Sequence, residues 1–101
     1  MKRNEILEAA RKCVCEDREE QYGTPEDNFG VIASMWEAYL RTGKCVSRPC
    51  DIEIQADDVA MMMALVKMAR IITAPQPLTP SPDSFVDLCG YAALAGEILT
   101  E

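Results

Sequence analysis

Asp57-Asp58-Val59-Ala60-Met61-Met62-Met63-Ala64-Leu65-Val66-Lys67-Met68-Ala69-Arg70 sets the fold class of the chain. It holds no Gly or Pro and is rich in Ala, Met and Leu, which lose little freedom in a helix. At about 100° per residue, its apolar side chains leave no polar face. Val59, Met62, Met63, Val66 and Ala69 cover one side, while Met61, Ala64, Leu65 and Met68 cover much of the rest. A helix that is apolar all round is buried on most sides, so this is expected to be the central element. Its charges are then the informative residues. Lys67 and Arg70 share a side, where a cation needs an anion or a route to water. Asp83 and Asp87, one turn apart on the next expected helix, are the partners on offer. The four charges either form a structural ion cluster or line a polar pocket between helices.

Outward from this helix the chain breaks cleanly. Downstream, residues 73–82 carry four prolines, which cannot continue a helix and favour an extended connector. Ser81-Pro82-Asp83 restarts a helix with an N-cap, a Pro at the first position and an acid in the first turn. That helix is expected over 82–99, with Phe85, Leu88, Cys89, Ala92, Ala95 and Leu99 at helical spacing. Gly90, Ala93 and Gly96 are small enough to let another backbone approach. Asp83 is an ordinary first-turn acid, so Asp87 is the better evidence for a site.

Upstream, residues 42–55 form the longest irregular segment, in which Ile52-Glu53-Ile54 alternates like a strand but is too short for a sheet. Lys44 and Arg48 lie in it, placed to meet a phosphate or simply to be solvated. A helix over 25–41 puts Phe29, Ile32, Ala33, Trp36 and Leu40 on one stripe, with Trp36 and Tyr39 as core anchors. A second role for Trp36 or Tyr22 is stacking on a base. Tyr22-Gly23-Thr24-Pro25 separates this helix from the first, which spans 3–21 with Ile6, Leu7, Ala10 and Val14 at helical spacing. Its acidic end, Glu16-Asp17-Arg18-Glu19-Glu20, reads as a solvated face or as carboxylates that help hold a metal ion.

The 101 residues make one domain. A net charge of −7 argues against binding nucleic-acid polymers or an anionic membrane. Met1-Lys2-Arg3-Asn4-Glu5 leads straight into an amphipathic helix, unlike a secretory leader, and no apolar run approaches a membrane span, so a cytoplasmic protein is expected. Five cysteines in that setting are expected to be reduced, small buried hydrophobes, and the absence of histidine excludes the zinc sites that need it. Four helices give an all-α, four-helix bundle-like fold. A chain of this size can hardly cover its central helix, so a homo-oligomer that shares an apolar surface is expected.

Tyr22-Gly23-Thr24-Pro25 with Asn28-Phe29, Trp36, Asp58-Val59-Ala60-Met61-Met62 with Lys67 and Arg70, Asp83-Ser84-Phe85-Val86-Asp87 and Gly90-Tyr91-Ala92-Ala93-Leu94 together resemble a family of small phage and prophage proteins without an assigned function. The resemblance spans about residues 16–97. More distantly, the layout is similar to the MazG-like all-α nucleoside triphosphate pyrophosphohydrolases, oligomers in which acids on consecutive helices hold Mg2+ against nucleotide phosphates. Their acid pairs are matched incompletely. Asp83 and Asp87 stand four apart where the enzymes have a Glu-x-x-Asp pair, and the central helix offers only Asp57 and Asp58 at its start. This departure weakens catalysis more than nucleotide binding.

Three functions follow. The first is a nucleotide-binding protein, with Lys67, Arg70 and Arg48 on phosphates, Tyr22 or Trp36 on a base, and Asn28, Asp83 or Asp87 on polar edges. In a phage protein, sequestering a host signalling nucleotide would blunt antiviral defence, a role implied by the resemblance alone. The second is a Mg2+-dependent pyrophosphohydrolase with Asp58, Asp83, Asp87 and Glu19 (or Glu16 or Glu20) as metal ligands. The third is a protein-binding module in which Lys67 and Arg70 merely neutralise Asp83 and Asp87.

Overall fold

The computed structural model describes residues 1–42, 52–75 and 81–101, and leaves the side chains of Glu19 and Tyr22 aside. Lys44, Cys45, Arg48 and Cys50 lie outside the described residues, as do residues 76–80 of the proline-rich connector. The fold is all-helical, with four helical rods and no strand among the described residues. The first rod is α1 (Arg3–Lys12), a π segment (Cys13–Asp17) and α2 (Arg18–Tyr22) in one run. It is followed by α3 (Pro25–Thr42), α4 (Ala56–Ile72) and α5 (Pro82–Thr100).

The breaks are made by local chemistry. Gly23 sits at φ 76°, a left-handed conformation that glycine adopts without strain. Thr24 Oγ1 then accepts the Asp27 N–H at 3.3 Å, with Pro25 opening α3. Ser81 Oγ likewise accepts the Asp83 N–H at 3.3 Å ahead of Pro82 in α5. At the start of α4, the Gln55 N–H donates to Asp58 Oδ2 at 2.9 Å, so Asp58 caps its own helix. Residues 52–55 hang on α3: the Ile54 N–H donates to Glu37 Oε2 at 3.2 Å, and Arg41 Nη2 donates to the Ile52 carbonyl at 3.3 Å.

α5 lies chiefly against α4, α3 covers another side of α4, and the first rod crosses α5. The core unites Phe29 and Ala33 of α3, Val59 and Ala60 of α4, and Leu94 and Ala95 of α5, with Trp36 packed at its edge. Many of these side chains are alanines, so the helices approach closely and the core is thin. Gly90 marks a close approach of α5 to the first rod, since a Cβ there would stand 3.0 Å from Val14 Cγ1. Across α4 and α5, Lys67 Nζ meets Asp87 Oδ2 at 2.9 Å.

Several expectations are corrected. α4 is not enclosed: only Val59, Ala60 and Ala64 are buried, because one neighbour on each of two sides cannot surround a helix. Tyr39 is exposed rather than a core anchor, as α3 turns it away from the Phe29–Ala33–Trp36 stripe. The inward residues of α5 are Val86, Gly90, Leu94 and Ala95, which leaves Phe85 and Leu99 exposed. Leu7 also faces outward. Cys13 and Cys15 are exposed free thiols and Cys89 is half-buried.

Two sets of variants test this packing. Gly90→Val should lower stability by about 1–3 kcal/mol through overpacking against Val14, whereas Gly96→Ala, with open space around it, should gain about 0.5–1 kcal/mol in urea unfolding. In the Lys67–Asp87 pair the ammonium is the sheltered partner, its side chain 12% exposed against 38% for the carboxylate. Asp87→Ala strands that cation and should cost about 2–4 kcal/mol; Lys67→Ala leaves a carboxylate that water can reach and should cost about 1 kcal/mol.

Candidate ligand cleft at the π segment

Ile6, Ala10, Val14 and Arg18 all turn inward along the first rod. Steps of four residues outrun the 3.6-residue turn of an α-helix, so an unbroken α-helix would rotate the later members off the inner face. The wider π turn at Cys13–Asp17 restores them, and the Arg18 N–H bonds back five residues to the Cys13 carbonyl. π segments of this kind recur at functional sites because they aim side chains that a regular helix cannot. Here the side chain aimed inward is Arg18.

Arg18 is half-buried. Its Nη2 donates to Asn28 Oδ1 at 2.8 Å, and its Cζ lies 4.4 Å from the centroid of the Phe29 ring. The Phe29 ring in turn lies 6.2 Å from the Tyr91 ring, centroid to centroid. Guanidinium, Phe29 and Tyr91 thus form a row running from α2 across α3 to α5, held by cation–π and ring contacts.

Beside this row, the π segment, α2 and α5 enclose an open cleft of about 340 Å³. Asp17, Arg18 and Gln21 line it from the first rod, with Asp87 and Tyr91 from α5. Val14, Val86 and Leu94 supply its apolar wall, and Cys13 also lines it. The volume is at the lower end of small-molecule sites, and an apolar wall with a few convergent polar groups is the usual make-up of such sites. Gly90 is part of the wall, so the close contact with Val14 also sets the width of the cleft.

The residues singled out from sequence are divided by the structure. Asp87 lines the cleft and holds Lys67 behind it. Asn28 serves the site through Arg18. Arg70 is exposed, and among the described residues no ion pair joins it to Asp83, so the expected cluster of four charges reduces to the Lys67–Asp87 pair. Asp83 sits exposed in the first turn of α5, Asp58 caps α4, and Trp36 packs against the core. Glu16 is exposed, 3.9 Å from Arg11, and Glu20 is exposed too. Arg48 lies outside the described residues, as do the side chains of Tyr22 and Glu19. Among the described residues no three Asp, Glu or Cys side chains converge as a metal cage, so Asp58, Asp83 and Asp87 do not make one.

Arg18, Asp17, Gln21, Cys13 and Tyr91 are the cleft residues that sequence reasoning missed. Arg18 stood within an acidic run that reads as solvated. The four-residue inward spacing from Ile6 to Arg18 was the available signal.

Comparison with known proteins places the chain. Residues 5–99 match a family described as a domain of unknown function, DUF6378. The Gene 55 protein of Mycobacterium phage D29 is 34% identical over 96 residues, which cover 95% of this chain and 54% of that protein. The Gene 55 protein of Mycobacterium phage L5 is 33% identical over 89 residues, covering 88% of this chain and 49% of that protein. The chain therefore spans about half the length of these phage relatives. No solved structure matches it. No helix among the described residues is long and apolar enough to cross a membrane. The match to nearly the whole length makes the chain a member of the DUF6378 family, with these phage proteins as its relatives.

Proposed function

We propose that this protein binds a nucleotide in the cleft between the π segment and α5, and that it works as a homo-oligomer in the cytoplasm of the phage-infected cell. The observation that carries the reading is the combination of Arg18, Tyr91 and the carboxylates of Asp17 and Asp87 around one cleft. A guanidinium suits a phosphate, because its planar fork of donors matches two phosphate oxygens at once. The Tyr91 ring offers a face or edge to a base. Asp17, Gln21 and Asp87 can accept or exchange hydrogen bonds with sugar hydroxyls and base edges. The carboxylates also discriminate: a ligand whose phosphate lay near them would be repelled, which fixes its orientation in the cleft.

In a phage protein this binding would serve to sequester a host signalling nucleotide and so counter antiviral defence. The proposed ligand class, a nucleotide, also follows the resemblance of the sequence layout to MazG-like pyrophosphohydrolases, which is itself part of this proposal. Hydrolysis would need a Mg2+ ion positioned against the phosphates. Among the described residues no three acids gather at one place, though Asp17 and Asp87 line the same cleft, so the reading of binding without turnover stands on recovery of the ligand intact.

A thermal-shift panel of linear, cyclic and ADP-ribose-derived nucleotides, each with and without Mg2+, tests the reading. Binding at 100 times Kd should stabilise the protein by about 2.7 kcal/mol. The ligand should be recovered intact by chromatography, and the shift should shrink in Arg18→Lys, which keeps the charge and loses the fork. A ligand returned cleaved only with Mg2+ would establish the enzyme instead. No shift across the panel would sink both.

A further inference from the structure

The outer face of α4 carries a run of exposed apolar side chains. Met61, Leu65, Met68 and Ile72 are 49%, 60%, 44% and 77% exposed, and they follow one another at steps of four, three and four residues. That is the spacing of a coiled-coil seam, which keeps its apolar side chains facing a second helix over several turns. Met62 and Val66, 43% and 41% exposed, widen the strip on one side. At these exposures the six side chains leave on the order of 600 Å² open, the upper end for a monomer and most of the roughly 800 Å² each partner contributes to a standard interface.

Beside the seam runs a mainly apolar groove of about 340 Å³, lined by Leu40, Ile52 and Ile54 and by Met61, Met62 and Leu65, with the acids Glu53 and Asp58 also in its lining. Leu65 therefore has two aspects: it lines a hole and it also stands out as a knob. A face that carries both a knob and a hole has the two features that a two-fold interface, in which each copy presents the same patch, has to match. Charge permits the same pairing along the helix. Residues 59–66 are uncharged, and Lys67 is turned inward to Asp87 at 2.9 Å, so two copies can lay their seams together without opposing charges, while the acids Glu53 and Asp58 that line the groove disfavour an acidic side chain there.

We infer that the α4 seam is the surface through which two copies of this chain associate, each placing Leu65 and Met68 against the other's seam and groove. The inference rests on the homo-oligomer reading above and names its surface. The cleft at the π segment faces the first rod and α5, so both clefts stay open in the dimer.

Sedimentation equilibrium and light scattering test it on the full chain. The wild type should be a dimer or an assembly of dimers at micromolar concentration. Leu65→Glu, an exposed position, should keep the helical circular-dichroism signal and weaken association about 100-fold or more by burying a charge in the seam. Met68→Glu should do the same, which guards against a folding defect peculiar to Leu65→Glu. Met35→Glu, equally exposed on α3, should leave the assembly unchanged. A monomeric wild type would overturn both the seam and the homo-oligomer, and would hand the face to a different partner. A wild-type dimer indifferent to Leu65→Glu and Met68→Glu would overturn the seam alone. Nucleotide thermal shifts on the monomeric variant read the cleft independently of either result.

Discussion

Lys67 reaches from α4 to Asp87 on α5 across 2.9 Å, and the rest of the structure depends on how closely those two helices lie. The core between them is built from Val59, Ala60, Ala64, Leu94 and Ala95, side chains too small to tolerate a gap. A thin core of this kind gains little from any one residue; the ion pair adds a polar contact between α4 and α5, and the Gly90–Val14 contact sets how closely the first rod lies on α5. Because the ammonium is more sheltered than the carboxylate, the pair also fixes Asp87 at the edge of the cleft rather than in open solvent. Stability and candidate site thus share one residue.

The π segment turns this scaffold into a site. Without it, α1 and α2 would continue as a regular helix, and Arg18 would leave the inner face together with its contacts to Asn28 and Phe29. The extra residue in the turn costs helical regularity at Cys13–Asp17 and gains a half-buried cation beside an aromatic row. Local irregularity that aims a charged side chain into a cleft is the pattern expected where binding, rather than packing, is served.

Much of the architecture was legible in the sequence because local chemistry decides it. Gly23-Thr24-Pro25 and Ser81-Pro82-Asp83 announce helix boundaries through glycine's left-handed backbone, hydroxyl caps and proline's missing donor, and those groups do that work in the structure. Phe29, Ala33 and Trp36 fall on the core side of α3 as their spacing implies. Which charges would meet was less legible. Periodicity places Lys67 and Arg70 on one side of α4 but cannot say that only Lys67 lies within reach of α5. Tyr39 and Phe85 went wrong because hydropathy does not reveal how few neighbours a helix has. Arg18 was hidden by its acidic neighbours and by a change of helical pitch that propensities do not encode. The unclad face of α4 was visible as an excess of Met, Leu and Val, an excess the intramolecular packing does not absorb.

If the cleft beside the π segment is where a ligand binds, amide chemical shifts read that place directly. A 15N-labelled sample titrated with a stabilising nucleotide should show its largest perturbations at Cys13–Arg18 and at Asp87–Tyr91, the two walls of the cleft. The amides of Met61–Ile72 should move little. Perturbations concentrated on Met61–Ile72, or spread evenly over the chain, would contradict binding in the cleft and move the ligand site away from the π segment.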